Sequence, residues 1–150
     1  MDNLDHRILR ELQAEGRLSH QELADRIGLS ASPCARRVRK LETEGYITGY
    51  GAEIDETKLG FSFSVFISVR LDRQIDDRLV AFEREVGRCP EVVDCWLMTG
   101  SFDYLLRVSV RDLEEFEHFL TRRLTKLPGV ASLESSIPIR RVKRTAARIA

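Results

Sequence analysis

Residues 19–45 read SHQELADRIGLSASPCARRVRKLETEG, and this segment decides the fold of the N-terminal part of the chain. Ser19 and Glu22 form a capping-box pattern, in which each side chain satisfies a free backbone donor at the start of a helix. That helix stops at Gly28, a residue type that suits a turn with a positive φ angle. A second helix starts just before Pro33, which a first helical turn tolerates because its N–H has no helical partner. The segment therefore predicts a helix, a tight turn and another helix, the arrangement of a helix-turn-helix.

The second of these helices is amphipathic and has a basic outer face. Cys34, Val38 and Leu41 recur at i, i+4 and i+7 and define its buried side. The residues predicted on the opposite side are Ser32, Arg36, Arg39, Lys40 and Thr43, with Arg37 on a flank. A helix fits the major groove of DNA, and the residues near its N-terminus approach the base edges. The pattern predicts a helix that reads DNA, and a solvated basic face on an ordinary helix is the alternative.

The predicted DNA contacts divide into base contacts and phosphate contacts. Ser32 and Arg36 are the candidates for base contact, and Arg37, Arg39 and Lys40 suit phosphate contact better. The full predicted set is Ser30, Ser32, Pro33, Arg36, Arg37, Arg39 and Lys40, with Arg17 and Arg26 from neighbouring elements. The chain has 24 basic and 24 acidic residues, so binding of double-stranded DNA has to come from this local patch rather than from net charge.

Two further elements flank the helix-turn-helix. Leu4, Ile8 and Leu12 share one face of an N-terminal helix. Gly16 is predicted to end that helix at the C′ position. After the third helix, residues 46–54 (YITGYGAEI) turn β-like and predict a short strand or hairpin that joins two domains.

The second half of the chain predicts the order strand, helix, strand, strand, helix, strand. Apolar residues of the first strand alternate with mostly polar ones: Phe61, Phe63, Val65, Ile67, Val69 and Leu71. The helix that follows presents one apolar face made of Ile75, Leu79, Phe82 and Val86. The two middle strands are predicted from Val92 to Met98 and from Asp103 to Val110, on either side of a turn at 99–102.

The last helix and the last strand complete this half. Asp112 and Glu115 give the helix a capping-box-like start, and its predicted apolar face is Leu113, Phe116, Leu120 and Leu124. The final strand is predicted from Val130 to about Val142. Because Pro138 lies inside it and a proline cannot donate to a ladder, this strand is expected at a sheet edge.

The fold class is therefore α+β, with an N-terminal helix-turn-helix domain and a C-terminal βαββαβ sandwich. The predicted boundaries are residues 1–50 for the helix-turn-helix domain, 51–60 for a linker and 61–150 for the βαββαβ domain. Phe66 lies on the otherwise polar face of the first strand, beside Ser64 and Ser68. A buried partner surface would explain an aromatic residue there, so at least a dimer with meeting sheets is expected.

The turn between the two middle strands has chemistry suited to an amino acid. Gly100 permits close backbone approach, and exposed amides in such a turn can hold a carboxylate. Asp103 offers a carboxylate to an ammonium group. The predicted contact set is Thr99, Gly100, Ser101, Phe102 and Asp103, with Met98, Tyr104, Ser135 and Ser136 as weaker candidates for lining the pocket. From this local chemistry alone a plain β-hairpin turn is the favoured alternative.

Motifs along nearly the whole chain resemble the Lrp/AsnC family of regulators. In the N-terminal part they are LDHRIL (4–9), GRLS (16–19), ELA (22–24), GLSASPC (28–34), RV (37–38), LE (41–42) and EGYITGY (44–50). In the second half they are MTGSFDYLL (98–106) and LPGV (127–130).

The resemblance has four implications. It implies a winged-type helix-turn-helix followed by a ferredoxin-like ligand-binding domain, and dimers that assemble into tetramers or octameric rings. It implies an effector pocket around the 99–103 loop at the interface between dimers, which reverses the preference for a plain turn. The expected function is a sequence-specific transcriptional regulator that responds to a small effector, an amino acid, through effector-linked oligomerisation.

Catalytic, cofactor and metal sites are not predicted. The three histidines are scattered, and no Ser-His-Asp, Cys-His or metal-ligand spacing and no glycine-rich phosphate loop is present. Cys34, Cys89 and Cys95 are predicted to be buried free thiols in a reducing cytoplasm. The first residues lack the apolar run of a signal peptide, and no stretch approaches the roughly 20 apolar residues of a membrane helix. A cytoplasmic protein without membrane contact is therefore expected.

Two other functional classes are compatible with parts of this pattern. Sirohaem decarboxylases resemble Lrp/AsnC proteins in fold, but such an enzyme would not need the basic outer face of the third helix. A nucleoid-architectural protein with little sequence specificity would use the same helix-turn-helix. Binding to operator and to random DNA at one salt concentration separates this class from a specific regulator.

Overall fold

The computed structural model describes residues 1–72, 76–144 and 147–149. The chain divides into two compact units, Met1–Glu53 with Val142–Ala150, and Ile54–Arg141. This grouping differs from the predicted boundaries in two respects: the second unit begins at Ile54, within the predicted 51–60 linker, and the C-terminal residues are counted with the N-terminal helices. Two contacts within the first unit account for the second difference: Gln13 Nε2 donates to the Ala147 carbonyl at 2.9 Å, and Arg144 pairs with Glu53 at 3.5 Å.

The first unit contains three helices, α1 (Asn3–Ala14), α2 (His20–Ile27) and α3 (Ala31–Thr43). Their shared core consists of Ile8, Leu23, Ala24, Ile27, Cys34, Val38 and Leu41. The capping box at the start of α2 is confirmed: the Ser19 N–H donates to Glu22 Oε2 at 2.8 Å, and the Glu22 N–H donates to Ser19 Oγ at 3.2 Å. Gly28 ends α2 with a φ of 75°, so the turn has the left-handed conformation that its sequence predicted.

The strand or hairpin predicted at residues 46–54 is not formed. The N–H groups of Tyr46 and Ile47 both donate to the Leu41 carbonyl, at 2.9 and 3.1 Å, and so close the end of α3. Residues 48–55 then follow without regular structure. A β-like sequence becomes a strand only where a ladder partner is available, and the described residues provide none for this segment.

In its described part, the second unit contains a four-stranded antiparallel sheet and two α-helices. The elements are β1 (Phe63–Leu71), α4 (Asp76–Val86), β2 (Val92–Leu97), β3 (Tyr104–Val110), α5 (Leu113–Arg122) and β4 (Val130–Ser136), with short 3-10 turns at Glu56–Leu59 and Leu124–Lys126. The strand order is β2-β3-β1-β4. This is the predicted βαββαβ arrangement, and it places β4 at a sheet edge, as expected.

The two faces of the sheet differ in burial. On the inner face, the apolar residues of β1 and β3 pack with the helices, and the cluster includes Val65, Ile67, Val69, Leu106, Val108, Phe82, Phe116 and Phe119. On the outer face, Phe66 lies opposite Arg107 in the β1–β3 ladder, and Trp96 lies opposite Leu105 in the β2–β3 ladder. Trp96 is 44% exposed, so the described part of this unit leaves an aromatic side chain open on the outer face.

Several details of the predicted elements are wrong. The last strand ends at Ser136 rather than near Val142, so Pro138 lies beyond the ladder and not inside it. Phe61 precedes β1 and is exposed, and Leu113 is exposed because, at the first residue of α5, it lies outside the stripe that Phe116 and Phe119 bury. Ile75 lies outside the described residues.

The predicted burial of all three cysteines holds for two of them. Cys34 and Cys89 are buried, whereas Cys95 is exposed. Cys95 lies opposite the buried Leu106, but it belongs to β2, an edge strand whose residues are mostly exposed.

Candidate DNA-binding and effector-binding sites

The outer face of α3 presents an exposed group of polar and basic side chains. Ser32, Arg36, Arg39 and Lys40 are all exposed. Among the described residues, the guanidinium groups of Arg36 and Arg39 make no ion pair, and Lys40 has only a long contact of 3.8 Å with Glu44. Ser30 is the N-cap residue of α3, and its hydroxyl makes no capping hydrogen bond. These side chains are therefore available to a ligand outside the helix.

Arg37, a predicted phosphate contact, has a structural role within the first unit. Its Nη1 lies 2.8 Å from Asp2 Oδ2 and 2.7 Å from Asp5 Oδ1. Asp5 is buried, so its carboxylate needs a partner inside the protein. Arg37 supplies that partner and ties α3 to the start of α1.

Arg26, another predicted phosphate contact, is also engaged within the unit. Its guanidinium pairs with Glu11 of α1 at 3.2 Å and with Glu15, the C-cap residue of α1, at 2.6 Å. Two carboxylates balance its charge, so little positive potential remains for a phosphate group. Arg17 is exposed and, within the described residues, makes no ion pair. A phosphate contact by Arg17, as the sequence predicted, therefore stays a proposal.

The carboxyl groups at the start of α1 respond to these contacts. For Asp5, burial raises the pKa, but the hydrogen bonds from the Asp2 backbone and from Arg37 outweigh burial and hold the pKa below its usual value. For Asp2, the hydrogen bond from the Asp5 backbone lowers the pKa, and the Arg37 guanidinium lowers it further. Both carboxyl groups are thus stabilised in their charged form by the fold.

The 98–103 turn joins β2 to β3 and is held by an arginine of β1. Gly100 has a φ of 115°, a conformation that side-chain-bearing residues rarely adopt. Arg70 donates from Nε and Nη2 to the Ser101 carbonyl, at 2.9 and 2.6 Å, and its guanidinium lies 5.5 Å from the Phe102 ring centroid. No local pattern predicts this role of Arg70, because Arg70 and Ser101 are 31 positions apart.

Asp103 does not present an open carboxylate as predicted. It is 5% exposed, and its Oδ2 accepts a hydrogen bond of 2.7 Å from the Leu71 N–H. The Asp103 N–H donates in turn to the Val69 carbonyl at 2.8 Å. The carboxylate therefore fixes the end of β1 against the turn, and an Asp103→Ala change would leave the buried Leu71 N–H without this acceptor.

The weaker candidates for lining the pocket lie in different surroundings. Tyr104 is buried on the inner face, and its hydroxyl donates to Glu83 Oε1 at 2.7 Å. Ser135 and Ser136 are consecutive in β4, so their side chains point to opposite faces of the sheet and cannot line one pocket within a single copy. Met98 is exposed beside the turn and stays a candidate.

Two family models match the chain in the same order as the two units. The winged helix-turn-helix DNA-binding model matches residues 1–48, and the Lrp/AsnC ligand binding domain model matches residues 64–148. The chain belongs to the Lrp/AsnC family. As a member, it is a DNA-binding transcriptional regulator with a ligand-binding domain.

Named and structurally solved Lrp/AsnC proteins are similar to this chain along nearly its full length. The chain is 47% identical to the Bkd operon transcriptional regulator of Pseudomonas aeruginosa over 95% of this chain and 93% of that protein. It is 39% identical to the leucine-responsive regulatory protein of Escherichia coli, over 97% and 88% of the two chains. A transcriptional regulator from Neisseria meningitidis in complex with L-Met has 36% identity and a TM-score of 0.92, over 97% and 94% of the chains.

These relatives are regulators, and this Lrp/AsnC protein is therefore not assigned to the sirohaem decarboxylases or to another enzyme class. In the described part of the chain, no group of three or more His, Cys, Asp or Glu side chains could hold a metal ion. No helix within the described residues has the length and apolar character needed to cross a membrane.

The ion pairs of Arg37 generate a prediction about pH. In Arg37→Gln, Asp2 and Asp5 lose the guanidinium that lowers their pKa, so the variant is less stable than the wild type at pH 7. A carboxyl group with a lowered folded-state pKa contributes stability above its unfolded value of about 3.9 and loses it as the pH falls through the folded value. The difference in the free energy of unfolding between the wild type and Arg37→Gln should therefore be fully present above about pH 4 and shrink below it.

Urea unfolding at pH 7 and at pH 3 measures this difference. Arg39→Gln is the matched control, because it makes the same change on the same helix at a guanidinium without an ion pair among the described residues. A difference for Arg37→Gln that is as large at pH 3 as at pH 7 would show that the carboxylates of Asp2 and Asp5 are not the partners that matter.

Proposed function

We propose that this Lrp/AsnC regulator recognises specific DNA sequences through α3 and responds to an amino acid by changing its assembly. The observation that carries the first part is the division of the arginines in the first unit. Arg26 and Arg37 are neutralised by carboxylates of the same unit, whereas Arg36 and Arg39 are exposed and make no ion pair among the described residues. The basic charge is thus concentrated on the exposed face of α3, which lies opposite its buried face.

The proposed DNA contacts follow from position along α3. Ser32 and Arg36 lie in the first half of the helix, where side chains approach base edges in the major groove. Arg guanidinium groups can bind guanine O6 and N7 through two hydrogen bonds, which gives Arg36 a specific partner. The proposed set is Ser30, Ser32, Pro33, Arg36, Arg39 and Lys40, with Arg17 as a phosphate contact from outside the helix.

Two substitutions separate base contact from phosphate contact. Against an operator selected from random duplexes, Arg36→Ala should lose about 1–3 kcal/mol of discrimination between operator and random DNA, because it removes a base contact. Lys40→Ala should weaken binding to both and reduce the slope of the salt dependence by about 1, because it removes a phosphate contact.

Gel-shift titrations at several salt concentrations measure both effects. Arg84→Ala is the control, since it removes an exposed arginine from α4 in the other unit. Equal operator affinity for the wild type, Arg36→Ala and Lys40→Ala would refute the role of α3. Equal wild-type affinity for operator and random DNA would favour the architectural class.

We also propose that the effector is an amino acid held at the 98–103 turn. A turn with a positive φ at Gly100 exposes backbone amides that can bind a carboxylate, and Arg70 keeps the turn in place. Support for the amino acid comes from the leucine-responsive relatives and from the Neisseria meningitidis regulator in complex with L-Met. The buried Asp103 supports the turn from behind, so the amides carry the proposal and Asp103 does not.

Gly100→Val tests the turn directly. A Cβ atom at Gly100 would meet nothing within 4 Å, so the substitution acts by forcing the backbone out of its φ of 115° and not through a local clash. We expect effector affinity to fall by roughly tenfold or more, the loss of about one charge-assisted hydrogen bond.

The effector is found first by a thermal-shift screen of the wild type against the twenty amino acids, because a ligand that binds only the folded state raises its stability. Calorimetric titration of that amino acid then compares the variants. Gly45→Val is the matched control, because Gly45 also has a positive φ and open space around it but lies in the first unit. Wild-type affinity in Gly100→Val would place the pocket elsewhere.

Assembly is the third part of the proposal. The outer face of the sheet carries the exposed Trp96 and the half-buried Phe66 and Leu105, and apolar groups of this kind on a sheet mark interaction surfaces. We propose that a second copy of the chain covers this face, and that the resulting dimers assemble further into tetramers or octamers in the cytoplasm. An effector that favours one arrangement changes the spacing of the DNA-binding pairs, and by linkage the DNA changes effector affinity equally.

A further inference from the structure

The outer face of the sheet also holds a cluster of charged side chains around Arg107. Arg107 donates from Nη1 and Nη2 to the two carboxylate oxygens of Glu56, at 3.1 and 3.0 Å, and from Nε to Asp94 Oδ2 at 3.0 Å. Ser109 Oγ donates to Glu56 Oε2 at 2.8 Å. We call Arg107, Glu56, Asp94 and Ser109 the Arg107 cluster. One guanidinium in this cluster joins three separate segments of the chain.

Among the paired arginines of the described residues, Arg107 has the least exposed side chain. The Arg107 side chain is only 16% exposed, although it lies on the uncovered face of the sheet. The paired hydrogen bonds to Glu56 are of the bidentate kind, which fixes geometry as well as adding energy. Hydrogen bonds from Arg107 and Ser109 lower the pKa of Glu56, so this carboxyl group is ionised at neutral pH.

Glu56 marks the place where the chain passes into the second unit. That unit begins at Ile54 and ends at Arg141, so its only covalent links to the first unit lie at these two residues. Both links reach the cluster: a cavity of about 370 Å³ is lined by Glu56 and Arg107 together with Pro138 and Arg141. A signal that travels along the chain between the units must pass one of these links.

The other side of the cluster leads to the proposed effector turn. Asp94 and Arg107 lie opposite each other in the β2–β3 ladder, and the 98–103 turn connects the same two strands. A change in the twist or separation of these strands at the turn would alter the distance between Asp94 and Arg107. Because Arg107 binds Glu56 through two hydrogen bonds, that change would move Glu56 and the segment through which the chain enters the second unit.

We propose that Arg107 is a positioning residue that couples the 98–103 turn to the chain link at Glu56. The proposal rests on the assignment of that turn to the effector. Binding at the turn shifts the β2–β3 hairpin, and the Arg107 cluster converts the shift into a displacement of the segment that carries the DNA-binding unit. Arg107 contacts neither the effector nor the DNA in this scheme.

Glu56→Gln and Arg107→Gln break the bidentate pair without substituting a residue of the turn or of α3. With L-leucine and L-methionine as probes, effector affinity is measured for the free protein and for the operator-bound protein. In the wild type the two affinities should differ by about fivefold or more, the usual range for coupled sites. In both variants, the effector affinity of the free protein should stay within about twofold of the wild-type value. The ratio between the effector affinities of the operator-bound and the free protein should fall towards one.

Glu115→Gln is the matched control. Glu115 also accepts two hydrogen bonds from one guanidinium, that of Arg111, at 3.1 and 3.2 Å, but this pair does not touch Glu56 or the hairpin turn. It should keep the wild-type ratio. A wild-type ratio in Glu56→Gln and Arg107→Gln overturns the coupling role, even if effector binding itself is confirmed.

Hydrogen exchange of the ligand-free protein tests the mechanical link without any effector. Glu56→Gln should speed exchange by about threefold or more both at residues 54–62 and at residues 98–103, because the two segments share the cluster, and Glu115→Gln should change neither. Faster exchange at residues 54–62 alone overturns the coupling. If no amino acid binds the wild type while both segments respond together, the effector assignment fails and the link stands.

Discussion

Among the described elements, the α-helices cover only one face of the four-stranded sheet, and this constraint organises the rest of the molecule. The inner residues of β1 and β3 find their partners in α4, α5 and the Leu124–Lys126 turn. The outer residues of the same strands include Phe66, Arg107 and Leu105; among the described elements no α-helix packs on them, and Arg107 is bound by Glu56 of the short 3-10 turn. A sheet of this kind is stable alone, but it leaves an apolar and partly charged surface that a partner can use.

Three parts of the proposed mechanism meet on or beside that open face. Trp96 and Phe66 provide apolar contact area, the Arg107 cluster holds the segment that enters the unit, and Arg70 holds the effector turn at one end of the strands. A second copy placed there would form a two-fold interface, in which the same patch of each chain meets its counterpart. Two helix-turn-helix units related by such an axis match a palindromic pair of DNA half-sites.

The sequence predicted the parts of this structure that depend on local patterns. The buried stripe of α3, the capping box of α2 and the alternation of β1 follow from periodicities that one element carries by itself. Partners that fold together from distant positions were missed: Arg37 with Asp5, Arg70 with Ser101, and Asp103 with Leu71. The pattern of charges places a side chain on one face of its helix or strand. Only the packing of the chain decides whether a carboxylate or a carbonyl group from elsewhere already binds that side chain.

The placement of a second copy on the outer face is the central claim, and sedimentation equilibrium at micromolar concentration tests it most directly. The wild type should have the mass of a dimer or a larger assembly. Leu105→Ser should shift the mass towards the monomer, and Leu113→Ser should not, because Leu113 is exposed on α5 and not on the sheet. A monomeric wild type would contradict the account. A Leu105→Ser variant that associates as strongly as the wild type would contradict it too.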